Sequence, residues 1–189
     1  MTRQLLLIRH TEVALRWRGR CYGTSDAGLS RAGVAHAAAI APQLAAWRPV
    51  VVIHSDRRRT RDLAMRIAAL AGVDCLPDAQ WRERDFGEWE GRGWNAIYRA
   101  TGNAMDGMID DPDSFRPGGG ETTTEMLERI ARALAGLPSG RIAVVTHGGP
   151  VAAARLLDAS QAVSMLPTLI PGYGEACEID KVTWSRKTR

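Results

Sequence analysis

Lysine is nearly absent from this chain. Of its 25 Lys and Arg residues, only positions 181 and 187 are lysine. Positive charge is therefore carried by arginine, whose rigid planar fork grips phosphate or carboxylate at two points. The formal net charge of +4 is a modest excess, and a nucleic-acid surface would need it clustered. Cysteine is scarce too. Cys21, Cys75 and Cys177 are odd in number, far apart and form no CxxC. That argues against a disulfide framework and against a structural zinc site, and it fits a reducing cytoplasm. Long hydrophobic runs are missing as well. None approaches the roughly 20 residues of a membrane span, and Leu5–Ile8 falls short of the about 7–15 apolar residues of a signal-peptide core. The expectation is a cytoplasmic protein with neither membrane nor nucleic acid as partner. What remains is an ordinary globular mixture, 45% hydrophobic and 24% charged over 189 residues, which suits one domain with a real core. The closing "SRKTR" reads as a solvated tail.

Three short all-apolar runs stand out: Leu5–Ile8, Val50–Ile53 and Ile142–Val145. Such runs suit strands covered on both faces. Helical spacing separates them. Ser30 is a plausible N-cap for a helix with Val34, Ala37, Ile40, Ala41 and Leu44 on one face, which Pro42 should bend. Leu63, Ile67 and Leu70 mark a second helix. Thr122 and Glu125 offer a capping box before Leu127, Ile130, Ala131 and Leu134, and Val151–Leu157 follows the third strand. Residues 72–120 show weak periodicity and read as a long excursion, with 92–117 as a mobile lid whose Trp94, Tyr98 and Phe115 would cover a substrate. Ala176–Val182 alternates loosely, like an edge strand. Strands alternating with helices predict an α/β fold with a mainly parallel sheet.

Ligands of such sheets sit outside the carboxyl ends of the strands. There the chain places Arg9 and His10; then His54, Ser55 and Arg57–Arg59; then Thr146, His147, Gly148 and Gly149. Arginine forks and imidazoles gathered at one edge call for an anion, and phosphate is the natural candidate. Gly148 and Gly149 open a helix and add backbone N–H groups. Of the three consecutive arginines, one should face the pocket and two the solvent. His54 reads as a structural residue and His36 as a surface one.

The segments "LIRHTEV", "HSDRRRTRDLA", "WRERDFGEWEG", "GGGET" and "VVTHGGPV" occur in the order seen in the histidine phosphatase superfamily, which the chain resembles from about Leu5 to Leu157. The resemblance implies a phosphoglycerate mutase-like three-layer fold and a set of roles. His10 would be the nucleophile, Arg9 and Arg59 phosphate ligands, Glu83 the acid/base, and His147 a second, protonated pocket histidine. It implies no cofactor and no metal, because side chains already supply the cations. Three positions depart from the family: Thr11 follows the histidine where glycine is usual, Arg16 stands where an asparagine usually reaches the phosphate, and Leu63 replaces a threonine.

The stretch "RHTEVALRWRGRCYG" further resembles alpha-ribazole phosphatases, which would make the substrate a small phosphorylated metabolite with a flat aromatic base. Arg16, Tyr22, Gly23, Thr24 and Gly148 are the substrate-side candidates, with Trp94 and Arg18 as stacking partners. A broad-specificity phosphatase, a mutase-type enzyme and a phosphate-binding module without activity stay open as alternatives. A metallo-hydrolase on His10, His147 and Glu83 lacks any HxxxH or HxH spacing.

Overall fold

The computed structural model describes residues 3–180. Five strands form one sheet: β1 (Arg3–Arg9), β2 (Val51–His54), β3 (Cys75–Pro77), β4 (Gly140–Thr146) and β5 (Ala176–Asp180), in the order β3-β2-β4-β1-β5. The first four run parallel, and β5 pairs antiparallel with β1. Six helices accompany them: α1 (Arg31–Ala46), α2 (Arg58–Ala71), α3 (Trp94–Thr101), α4 (Gly107–Asp110), α5 (Thr123–Gly136) and α6 (Gly148–Asp158). Lys181 and Val182 of the expected edge strand, and the "SRKTR" tail, lie outside the described residues.

Strand alternation divides the core into two layers. Leu6, Ile8, Val52, Ala143 and Val145 face α1 and α2. Leu5, Leu7, Ile53, Ile142 and Val144 face α5 and α6. The result is an α/β three-layer sandwich, as the resemblance implied. Among the described residues no helix is long and apolar enough to cross a membrane.

The helix signals hold at their starts. Ser30 Oγ accepts from Gly33 N at 2.9 Å. Thr122 and Glu125 form a reciprocal capping box at 3.1 and 3.0 Å. α1 runs unbroken through Pro42, which faces solvent. Two positions assigned to core stripes face outward: Val34 is 39% and Leu70 59% exposed. Alanines fill the contact instead, because α1 and α2 pack closely on each other through Ala37, Ala41, Ala64 and Ala68.

The 72–120 excursion is more ordered than its pattern suggests. It supplies strand β3, helices α3 and α4, and a small core of its own, in which Ile97 is buried against Cys21 and Trp89. β3 escaped notice because it is three residues long, half-solvated and ends in Pro77.

Candidate active site

The carboxyl ends of β1, β2 and β4 are adjacent, so the residues after them converge. His10 N donates to Thr146 O at 2.9 Å, which extends the β1–β4 pairing by one residue. The ring is buried, with Nδ1 2.7 Å from the carbonyl of Thr11. A carbonyl only accepts, so Nδ1 carries the proton and Nε2 keeps a bare lone pair. Burial, then the nearby Arg59 and Arg9 cations, push its pKa well below the ordinary value. At neutral pH the ring is therefore uncharged.

Arg59 is fully buried, while Arg57 is half-buried and Arg58 exposed. Its Nη1 donates to Ser25 O and its Nη2 to Gly23 O, both at 2.6 Å, and its Nε donates to His147 Nδ1 at 3.0 Å. A ring nitrogen that accepts is unprotonated. His147 therefore carries its one proton on Nε2, which donates to Ser55 Oγ at 2.7 Å. Burial and Arg59, then His10, drive the pKa of His147 well down. This corrects the expectation of a protonated His147: a cation is not tolerated beside Arg59 in a site closed to water. The histidine stands 5.2 Å from His10, ring to ring, and both its nitrogens are committed to Arg59 and Ser55.

Arg9 donates through Nη1 to Pro171 O at 2.6 Å, and its guanidinium lies 4.3 Å over the Tyr173 ring. Glu83 is held by two backbone donors, Arg84 N at 3.0 Å and Gly149 N at 3.3 Å. A Cβ on Gly149 would sit 2.3 Å from Glu83 Oε1, so any larger residue there must shift the carboxylate. A Cβ on Gly148 would approach Ile170 at 3.0 Å and the Arg9 guanidinium carbon at 3.4 Å. His54 is buried, its Nδ1 2.5 Å from Ser55 O, and His36 is exposed, each as expected. Among the described residues no group of three or more His, Cys, Asp or Glu side chains is placed to hold a metal ion.

Beside this polar floor opens a cavity of about 520 Å³. Arg9, Glu83, Tyr22, Gly23 and Tyr173 form its floor side, and Trp17, Phe86, Trp94, Met105, Met108 and Ile170 are among its apolar walls. The Tyr22 and Tyr173 hydroxyls are 3.0 Å apart, and their ring centres stand 6.5 and 5.5 Å from that of His10.

Not every substrate-side candidate reaches the cavity. Arg16 is exposed and does not line it; Arg18 and Arg20 do, because the short 3-10 turn Leu15–Trp17 directs Arg16 outward and Trp17 inward. The Thr24 hydroxyl is committed to Glu90 Oε1 at 2.9 Å. Of the three aromatic residues assigned to a cover, Trp94 lines the cavity, Phe115 packs against Trp89, and Tyr98 is 61% exposed. Sequence reasoning missed Tyr173, Ser55 and Arg84. Ser55 and Arg84 stood inside recognised segments without a role, and nothing local marks Tyr173.

The profile of the histidine phosphatase superfamily (branch 1) matches residues 5–180. A metal-independent phosphoserine phosphatase of Arabidopsis thaliana is 32% identical over 174 residues, covering 86% of this chain and 72% of that protein. A glucosyl-3-phosphoglycerate phosphatase of Mycobacterium tuberculosis is 28% identical over 163 residues, covering 80% and 73%. Among solved structures, a mycobacterial glucosyl-3-phosphoglycerate phosphatase with VO3 aligns with a TM-score of 0.83 at 25% identity, covering 93% of this chain and 90% of that one. An alpha-ribazole phosphatase from Shigella flexneri shares the fold, with a TM-score of 0.82 at 20% identity and coverage of 94% and 90%. With its profile matched almost end to end, and with an uncharged His10 between Arg9 and Arg59, this chain belongs to the histidine phosphatase superfamily.

Proposed function

We propose that the protein is a metal-independent phosphomonoesterase working through a phosphohistidine on His10. The observation that carries this is the tautomer: His10 is neutral, its Nδ1–H is held by Thr11 O, and its Nε2 is bare. Nε2 attacks phosphorus as the bond to the ester oxygen breaks. Arg9 and Arg59 meet the charge on the equatorial oxygens. Glu83 acts as the general acid that gives a proton to the leaving alkoxide. The resulting carboxylate then takes a proton from the water that cleaves the P–N bond, so both groups return to their first state. His147 contributes by fixing the Arg59 fork. The three cysteines are free thiols, in keeping with a cytoplasmic setting.

The leaving group we assign is flat and largely apolar. Trp17, Trp94, Tyr22 and the methionines of the cavity offer stacking and dispersion contacts, while Arg84 is occupied by Glu121 O and Thr123 Oγ1. Alpha-ribazole 5′-phosphate satisfies this description. A broad-specificity phosphatase is the second reading, favoured by walls that are mostly apolar, with Glu12, Arg18 and Arg20 among their charged groups. The 92–117 segment supplies Trp94, Met105 and Met108 to the wall, and we read it as the cover over the bound ester. Slower proteolysis of this segment in the presence of vanadate is the expected sign.

Two measurements test the assignment. Rapid quench should trap acid-labile, base-stable phosphate on the enzyme, and its absence under rate-limiting hydrolysis would refute the intermediate. Comparison of kcat/KM for alpha-ribazole 5′-phosphate with phosphoserine, 3-phosphoglycerate and sugar phosphates tests the leaving group. A preference under about tenfold, roughly 1.4 kcal/mol of transition-state binding, leaves the broad-specificity reading ahead.

A further inference from the structure

Glu90 belongs to none of the roles above, yet five donors converge on its carboxylate. Oε1 accepts from Thr24 N at 2.7 Å, Thr24 Oγ1 at 2.9 Å and Phe86 N at 3.4 Å. Oε2 accepts from Ser25 N at 2.8 Å and Ser25 Oγ at 2.5 Å. None of the ion pairs among the described residues includes it. Burial opposes its charge, but the bonds from Ser25 and Thr24 outweigh burial and keep its pKa below the ordinary value.

The loop it grips is the one that holds Arg59. The peptide group between Gly23 and Thr24 gives its N–H to Glu90 Oε1 and its carbonyl to Arg59 Nη2, at 2.7 and 2.6 Å. We propose that Glu90 is a positioning residue for phosphate binding, orienting the Arg59 guanidinium across this single peptide group. The peptide dipole lies between an anion and a cation, so each hydrogen bond polarises the other. The second strap, Ser25 O to Arg59 Nη1, comes from the next residue held by the same carboxylate.

The arrangement has a chemical advantage over a direct ion pair. A carboxylate in fork-to-fork contact would occupy the N–H groups that must meet phosphate. Carbonyls at Nη1 and Nη2 take one hydrogen each and His147 takes the Nε hydrogen, so two of the five guanidinium hydrogens stay open. The close approach also explains Gly23, where a Cβ would lie 2.4 Å from Glu90 Oε1 and 2.6 Å from Arg84 O.

The proposal rests on Arg59 as a phosphate ligand, and the experiment separates the two. The probe is vanadate, as an inhibitor of p-nitrophenyl phosphate hydrolysis, with thermal unfolding measured alongside. Glu90→Gln should raise the inhibition constant about tenfold, within the usual range for coupled neighbouring groups. In an Arg59→Lys background the same change should add less than about twofold, because the receiver of the effect is gone. A tenfold loss in both backgrounds, or an unchanged constant in Glu90→Gln alone, overturns the positioning role. An Arg59→Lys variant that binds vanadate as tightly as the parent overturns the ligand reading itself, and the proposal with it. If Glu90→Gln does not fold, Ser25→Ala removes one donor to Oε2 and should raise the constant about threefold in the parent and not in Arg59→Lys. No rise in the parent overturns the proposal.

Discussion

The floor around His10 and the cavity beside it are held in different ways. On the floor, each charged or titratable side chain is pinned by named hydrogen bonds: Arg59 by two carbonyls and an imidazole, His147 by Arg59 and Ser55, Glu83 by two backbone amides. The floor residues stand at strand ends or hang from them. The apolar walls come mainly from short helices and 3-10 turns of residues 15–17, 86–115 and 163–170, and they touch through methionine, tryptophan and isoleucine. Methionine adapts its shape at little cost. A pinned floor and an adaptable wall suit a protein with one chemistry whose leaving group was selected separately.

The largest effect should come from removing His10, the nucleophile we propose. His10→Ala is expected to lower kcat by about 10⁶, as loss of a covalent catalytic residue does elsewhere. The ring is packed rather than structural, so the fold should survive. A variant retaining more than a hundredth of the parent rate would put the nucleophile elsewhere and dissolve the contrast between floor and wall.

The next effect acts on alignment alone. Gly149→Ala places a methyl group 2.3 Å from Glu83 Oε1 and must displace the carboxylate. Loss of well-placed acid catalysis costs about 10²–10⁴, so alkyl phosphates should slow by at least about 10². Activated aryl phosphates, whose leaving oxygens need no proton, should slow far less. Uniform losses across a leaving-group series would show that Glu83 is not the proton donor.

The burial of the floor has a stability signature. The pKa values of His10 and His147 are both lowered, chiefly by burial and then by Arg59. Below the unfolded value of about 6.5 the unfolded chain binds protons that the folded chain does not. Stability should therefore be flat in these groups above neutrality and fall with acidification below it, by about 1.4 kcal/mol per pH unit for each histidine. Urea unfolding between pH 7.5 and 5 measures this. His10→Asn should remove its share of the slope; an unaltered slope means that His10 is charged in the fold.

The smallest effect belongs to the wall. Trp94→Ala should reduce kcat/KM for aryl phosphates by about five- to tenfold, the low end of what one stacking contact contributes. It should leave a small ester such as methyl phosphate within about twofold. Equal losses on both would place Trp94 in the support of the floor and not in specificity.

Much of the fold was legible because its decisive strands are buried on both faces. A run such as Leu5–Ile8 has no other comfortable place. The site was legible where a role needs a particular residue type beside a strand end: Arg9 and His10, His147, and Arg59 at the start of the helix that follows β2. β3 was not legible, since three half-exposed residues carry no period. α3 was hidden because its eight residues are too few to show more than Trp94 and Ile97 as an inward face, packed on Trp89 and Cys21. Val34 and Leu70 fit the helical spacing yet face water, because alanines let the two helices approach.

By itself the sequence determined the order of the three buried strands, the longer helices between them and the residue types placed at the carboxyl edge, since these follow from local burial patterns and chain direction. Tertiary structure alone decided the protonation of His147, the engagement of Arg9 by Tyr173 and Pro171, and the path from Glu90 to Arg59. Each of these depends on a partner tens of residues or more away, or on how deeply a group is removed from water. Neither quantity is a property of the segment in which the residue stands.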